Sequence, residues 1–147
     1  MEFYNNEEVC FQQIKRTAKM MIGQKDIDNI KRIDIPDFDD EESEIIKELH
    51  KKLLKRSMNK NDSNEVGMLV NLQDWTNIMI NGTENGVTLK KNKAASKLIC
   101  TAPKNSLLFF HNHPKNSCFS EKDLESFMIS DAIKMMSVVC NNGRLYY

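Results

Sequence analysis

Between Leu107 and Asp123 the chain reads Leu-Leu-Phe-Phe-His-Asn-His-Pro-Lys-Asn-Ser-Cys-Phe-Ser-Glu-Lys-Asp, and no other stretch restricts the fold so tightly. The apolar run Leu107–Phe110 is of the kind that forms a buried strand. Side chains alternate along a strand, so His111 and His113 emerge on one face and Asn112 on the other. Pro114 lacks a backbone donor and ends the pairing. After a polar loop, Ser120 opens a helix and Asp123 falls in its first turn. A strand end and a helix start thereby bring two imidazoles and one carboxylate around a single point. Three protein ligands with a fourth position open describe a catalytic zinc site rather than a structural one. Two plainer readings stand beside it: a pair of buried, hydrogen-bonded histidines, and a capping box that employs Ser120 and Asp123 only locally. Asn112, facing away, is expected either to support the ligands from behind or to be structural, not to ligate.

The rest of the chain bounds what such a stretch can belong to. A chain of 147 residues holds one compact domain with an appendage, not two full domains. Lysine plus arginine (21) equals aspartate plus glutamate (21), so no basic field favours direct nucleic-acid binding. Cys10, Cys100, Cys118 and Cys140 form no Cys-x-x-Cys pair, and a reduced, cytoplasmic chain is the simplest expectation. The start, Met-Glu-Phe-Tyr-Asn-Asn-Glu-Glu, has neither the basic nor the apolar region of a signal peptide. No apolar run approaches the ~20 residues that span a bilayer.

In order, residues 6–22 read as a helix on the spacing of Val9, Ile14, Ala18, Met21 and Ile22, with Gly23 at its end. A connector with one short helical turn follows. Asp39 or Asp40 then caps a helix to about Met58, acidic at its start and basic at its end, as the helix dipole favours. Its stripe is Ile45, Ile46, Leu49, Leu53 and Leu54, and His50 reads as exposed. Asn59–Asn64 is a polar linker, dividing an N-terminal helical region (1–63) from a β-rich domain (64–147). Strands are expected at Val66–Leu72, Asn77–Asn81 and Val87–Lys90, while 91–103 suits either a helix or a strand. A helix is expected from Ser120 to about Met136, and a final strand pair across Asn141-Asn142-Gly143.

His111-Asn112-His113-Pro114, five intervening residues and Ser120-Glu121-Lys122-Asp123 together resemble the JAMM (JAB, MPN-plus) metallopeptidase family. The His-Asn-His-Pro wording is closest to its bacterial RadC-like and phage or mobile-element branch, and the spacer is shorter than the family's usual one. The resemblance covers residues 64–147. It implies an α+β fold (α/β mixed) of cytidine-deaminase-like type, a mixed sheet flanked by helices, here with an N-terminal helical extension. That fold usually continues past its last strand, so an end at Tyr147 leaves open a shortened C-terminus.

The resemblance also implies roles. His111, His113 and Asp123 would hold Zn2+, and Ser120 would steady a tetrahedral oxyanion. A carboxylate outside the metal sphere would move the proton of the attacking water. Glu65 opens the first β segment as Glu65-Val66-Gly67-Met68-Leu69, like the family's upstream Glu; Glu84, inside a Gly-Asn turn, is the rival. Apart from the resemblance, Cys118 lies in the metal loop, where a thiolate could close the open position, although an inert loop cysteine is the plainer reading. The activity implied is hydrolysis of a peptide or isopeptide bond, with a ubiquitin-like substrate among the candidates. The alternative is a RadC-like or phage accessory module that binds metal and acts as a DNA-associated or structural protein, with a partner on the N-terminal helices.

Overall fold

Leu107–His113 forms a strand whose seven residues are all buried, and the rest of the molecule is assembled on it. The computed structural model describes residues 18–128 and 130–147. In chain order the elements are α1 (Gln24–Asp28), α2 (Asp40–Lys60), β1 (Val66–Asn71), β2 (Asn77–Asn81), a 3₁₀ turn (Leu89–Lys91), α3 (Lys93–Thr101), β3 (Leu107–His113), α4 (Glu121–Met128), β4 (Ile133–Cys140) and β5 (Leu145–Tyr146). The five strands make one mixed sheet in the order β2-β1-β3-β4-β5. β1 runs antiparallel to β2 and β3, β3 and β4 are parallel, and β5 returns antiparallel on β4. This is a mixed α+β chain.

The period of two along β3 sorts its side chains between two cores. Leu108 and Phe110 join Val66, Met68 and Val70 under Ile46, Leu49, Leu53 and Leu54 of α2. Leu107 and Phe109 pack on the other face with Leu69, Ile133, Met136 and Ala95 of α3. Each such side chain, fully buried, contributes about 1.5–3 kcal/mol. The first core runs across the 63/64 boundary, since Ile46, Leu49, Leu53 and Leu54 of α2 and Ile22, Ile27, Ile30 and Ile33 before it pack with the strands.

α2 begins where expected. The Asp39 carboxylate accepts from the Glu42 amide at 2.8 Å, and the Glu42 carboxylate accepts from the Asp39 amide at 3.0 Å. His50 corrects the exposed reading: it is fully buried, its Nε2 is 2.8 Å from Ser137 Oγ, and its ring lies 4.5 Å from that of Phe110. It occupies the apolar stripe of α2, one residue after Leu49, which a reading by polarity alone misplaces.

Three further expectations change. Of the helix at 6–22, residues 6–17 lie outside the described residues, 18–22 are not helical, and Gly23 caps the start of α1 instead. Val87–Lys90 is no strand, because the Thr83↔Gly86 bridge closes the turn and the chain leaves as a 3₁₀ turn. The last long helix stops at Met128, and Ile133–Met136 belongs to β4. Pairing with β3, Leu107↔Ile133 through His113↔Cys140, buries that segment in the sheet, which outweighs its helix-compatible spacing. The turn after β4 requires Gly143, whose φ is +87° and whose absent Cβ would stand 2.6 Å from Asp26 O. Among the described residues no helix is long and apolar enough to cross a membrane.

Candidate metal centre

The C-terminal end of β3 meets the start of β1 and the first turn of α4. His111 and His113 project from the β3 face that carries Phe109, and the Phe109 and His111 rings stack at 5.1 Å. Asp123 reaches them from α4. Its Oδ1 is 3.1 Å from His111 Nε2 and its Oδ2 is 3.3 Å from His113 Nε2. Glu65, on the residue before β1, places Oε1 4.0 Å from His111 Nε2. The four groups offer donor atoms that lie within 4.8 Å of one another. Glu84, the rival carboxylate, is half-exposed and pairs with Lys115 at 3.7 Å, outside this cluster.

Hydrogen bonding settles which nitrogens face inward. His113 Nδ1 is 2.8 Å from the carbonyl oxygen of Ser117, so Nδ1 must carry a proton and donate it. His113 Nε2 is then a lone pair in the neutral ring, turned toward a carboxylate oxygen. Two acceptors at 3.3 Å repel unless a cation lies between them, either a proton or a metal. His111 is stranger still. It is wholly buried, its Nδ1 has no hydrogen-bond partner among the described residues, and its Nε2 meets Asp123 Oδ1 at 3.1 Å but off the angle of a hydrogen bond. Buried polar atoms are nearly always satisfied.

Both observations fit a metal. In a tetrahedron with bonds of about 2.0–2.1 Å, ligand atoms stand about 3.3 Å apart, close to the two Asp123–histidine separations. Two imidazoles and a carboxylate are also a donor set that zinc accepts.

The proton affinities describe the metal-free cluster, in which a proton on His113 stands where a metal would. Burial lowers the His111 pKa, with the nearby Asp123 carboxylate only partly opposing it, so the ring is neutral, as a ligand must be. At His113 burial acts downward, but Asp123, Glu65 and the Ser117 carbonyl together raise it. Burial also acts against an ionised Asp123, yet the two imidazoles and the Ser120 amide hold its carboxyl far below the usual range. Glu65 goes the other way: desolvation, with a push from Asp123, raises it to about 7, against a weaker opposing pull from His113.

Ser120 caps α4. Its amide donates to Asp123 Oδ2 at 2.6 Å, and its hydroxyl oxygen accepts from the Asp123 amide at 3.2 Å. Capping and cluster geometry therefore coexist on one carboxylate. Cys118 is disulfide-bonded, so it is neither the free thiolate considered above nor part of a fully reduced chain. Cys140 is buried and its thiol is pushed up to about 12. Ser117 was not anticipated: its carbonyl oxygen makes the shorter contact with His113 Nδ1, at 2.8 Å, and its hydroxyl lies 3.1 Å from the same nitrogen.

The cluster opens on a cleft of about 1330 Å³, lined by Glu65, His113, Ser120 and Asp123 and by the apolar Val87 and Ile99. Gly67 lies in β1 beside it, where a Cβ would approach Phe109 and Val87 to 3.2 Å. The chain was also compared with known proteins, and no protein-family model, curated protein or solved structure matches it.

Proposed function

We propose that the chain is a zinc-dependent metallopeptidase or isopeptidase of JAMM type, with the cytidine-deaminase-like sheet that this family has. One observation carries the reading: two buried imidazoles and a carboxylate turn acceptor atoms on one another, with a second carboxylate beside them. His111, His113 and Asp123 would hold the ion. Zinc bound there supplies a Lewis acid, polarising a carbonyl and making water a better nucleophile near neutral pH.

The remaining chemistry belongs to side chains. Glu65, beside the three ligands, takes a proton from the attacking water and returns it to the departing amine as the C–N bond breaks. The Ser120 hydroxyl accepts from the Asp123 amide through its oxygen, leaving its proton for an oxyanion. The peptide or isopeptide would lie in the open cleft of about 1330 Å³ beside these groups.

The test is zinc content by atomic emission, for the wild type and for His113→Ala, followed by cleavage assays with Glu65→Gln as control. About one zinc per chain, lost in His113→Ala, with hydrolysis reduced about 10²–10⁴-fold in Glu65→Gln, is the expected result. Failure of the wild type to take up zinc after reconstitution would sink the enzyme reading. Zinc uptake without cleavage would leave a metal-holding accessory module in its place.

A further inference from the structure

Asn112 stands between the two histidines on β3, yet its side chain enters the opposite, α2-covered face, where it is wholly buried. Its Oδ1 accepts from the Val66 amide at 2.7 Å. Its Nδ2 donates to Asn141 Oδ1 at 2.8 Å and to the Asn64 carbonyl and Ser57 Oγ, both at 3.2 Å. Asn64 and Val66 flank Glu65. The Asn64 carbonyl belongs to the peptide unit entering Glu65, and the Val66 amide to the unit leaving it. One side chain therefore grips both peptide planes of the residue that would move the proton.

The sheet itself does not do this. The β1–β3 ladder begins at Gly67↔His111, so at residues 65 and 66 the Asn112 amide takes the place of ladder bonds. Ser57 Oγ, from α2, also donates to the Asn64 carbonyl at 2.6 Å, and the other holds on Glu65 run elsewhere. Its amide donates to Thr83 O, its carbonyl accepts from Gly82 N, and Asn61 Nδ2 also reaches that carbonyl. Among these contacts Asn112 is the one that ties the Glu65 backbone to the histidine strand.

The orientation of the amide follows from its neighbours. Asn141 Nδ2 faces two carbonyls, Met20 O at 2.6 Å and Ser63 O at 2.9 Å, so Asn141 Oδ1 must face Asn112. Asn112 must then present Nδ2 to it, which turns Oδ1 to the Val66 amide. Asp would lose every donor here, and Ser or Thr would be too short to serve both flanks.

We propose that Asn112 is a positioning residue that registers the Glu65 carboxylate against His111 and His113, oriented by Asn141. The inference rests on the hydrolase reading above, in which Glu65 handles the proton. It concerns where Glu65 stands, not whether zinc binds.

Two readouts test it. In Asn112→Ala, amide hydrogen exchange should speed up by about tenfold or more at Val66 and stay within about twofold at Phe110 and His111. In the zinc-loaded protein, kcat should fall about tenfold or more at constant KM, with zinc affinity within about threefold of wild type. Adding Asn112→Ala to Glu65→Gln should cost nothing beyond Glu65→Gln alone, since both remove the same function.

Zinc affinity falling in step with kcat, or two losses that multiply, would overturn the proposal. Should Asn112→Ala not fold, Asn141→Ala releases the amide without touching the Glu65 flanks, and the same readouts apply with the same signs. If the zinc-loaded wild type cleaves nothing, the hydrolase reading fails by itself, and the exchange pattern decides. Acceleration confined to Val66 at unchanged zinc affinity supports Asn112 as the residue that places Glu65; acceleration spread along β3 overturns it.

Discussion

At the scale of single residues, the centre sets two carboxylates in opposite states. Asp123 is ionised by its two imidazoles and its cap, whereas Glu65 is kept near 7 chiefly by desolvation. For Glu65 the folded pKa of about 7 exceeds the ordinary 4.5, so the folded, metal-free chain binds this proton more tightly than the unfolded chain. Its stabilising contribution is complete below about pH 4.5 and is lost as pH rises through about 7. Glu65→Gln has the same shape and never ionises. In chelator, by urea denaturation, the variant is expected to exceed wild type by about 2–3 kcal/mol near pH 8 and to match it near pH 4.5. A variant weaker than wild type at the alkaline end would show that the carboxylate is not desolvated. Side-chain chemistry of this kind was legible in advance: His111, His113 and Asp123, placed by strand and helix periods, and Glu65, named from the family resemblance, stand together in one cluster. What no sequence could show was the Ser117 carbonyl, because backbone groups are alike at every position.

At the scale of elements, β1, β2 and β3 follow the expected periods, and α2 starts at its capping box. The errors cluster where two periods compete. Ile133-Lys134-Met135-Met136 satisfies a helical stripe as a continuation of α4, but as β4 it buries Ile133 and Met136 against Leu107 and Phe109. α4 itself has no buried residue and leaves Leu124 and Met128 exposed, so packing gives it little reason to extend. His50 on α2 gives a second prediction. Burial drives its pKa from 6.5 down to about 3, so the unfolded chain binds this proton first. Stability is then complete above about pH 6.5 and falls as pH drops from there toward 3. His50→Leu removes the effect: between about pH 6.5 and 4.5, the wild type should lose about 2–3 kcal/mol relative to the variant. A parallel pair of pH profiles would place the ring in contact with water.

At the scale of the whole molecule, one sheet with a helix on each face explains why the α+β class could be read while the strand order could not. Periodicity reports which face is buried, not which strand lies next to which; β4 reaches β3 by a parallel crossover through α4, a connection that residue spacing does not encode. A ligand that binds only the folded chain stabilises it by mass action. With free zinc at about 1,000 times its dissociation constant the gain is about 4 kcal/mol, or a rise in Tm of about 8–16 °C, reversed by chelator. A Tm indifferent to zinc would place the metal outside the fold. The layout also carries a consequence in time. His111, His113 and Asp123 fall within one short stretch of chain, whereas Glu65 lies far upstream and joins them only through the β1–β3 ladder. Short loops close before long ones, so in the proposed reading the three local ligands gather before Glu65 reaches them. Under that reading hydrolysis would await the finished sheet, because only the β1–β3 ladder brings Glu65 to the histidines.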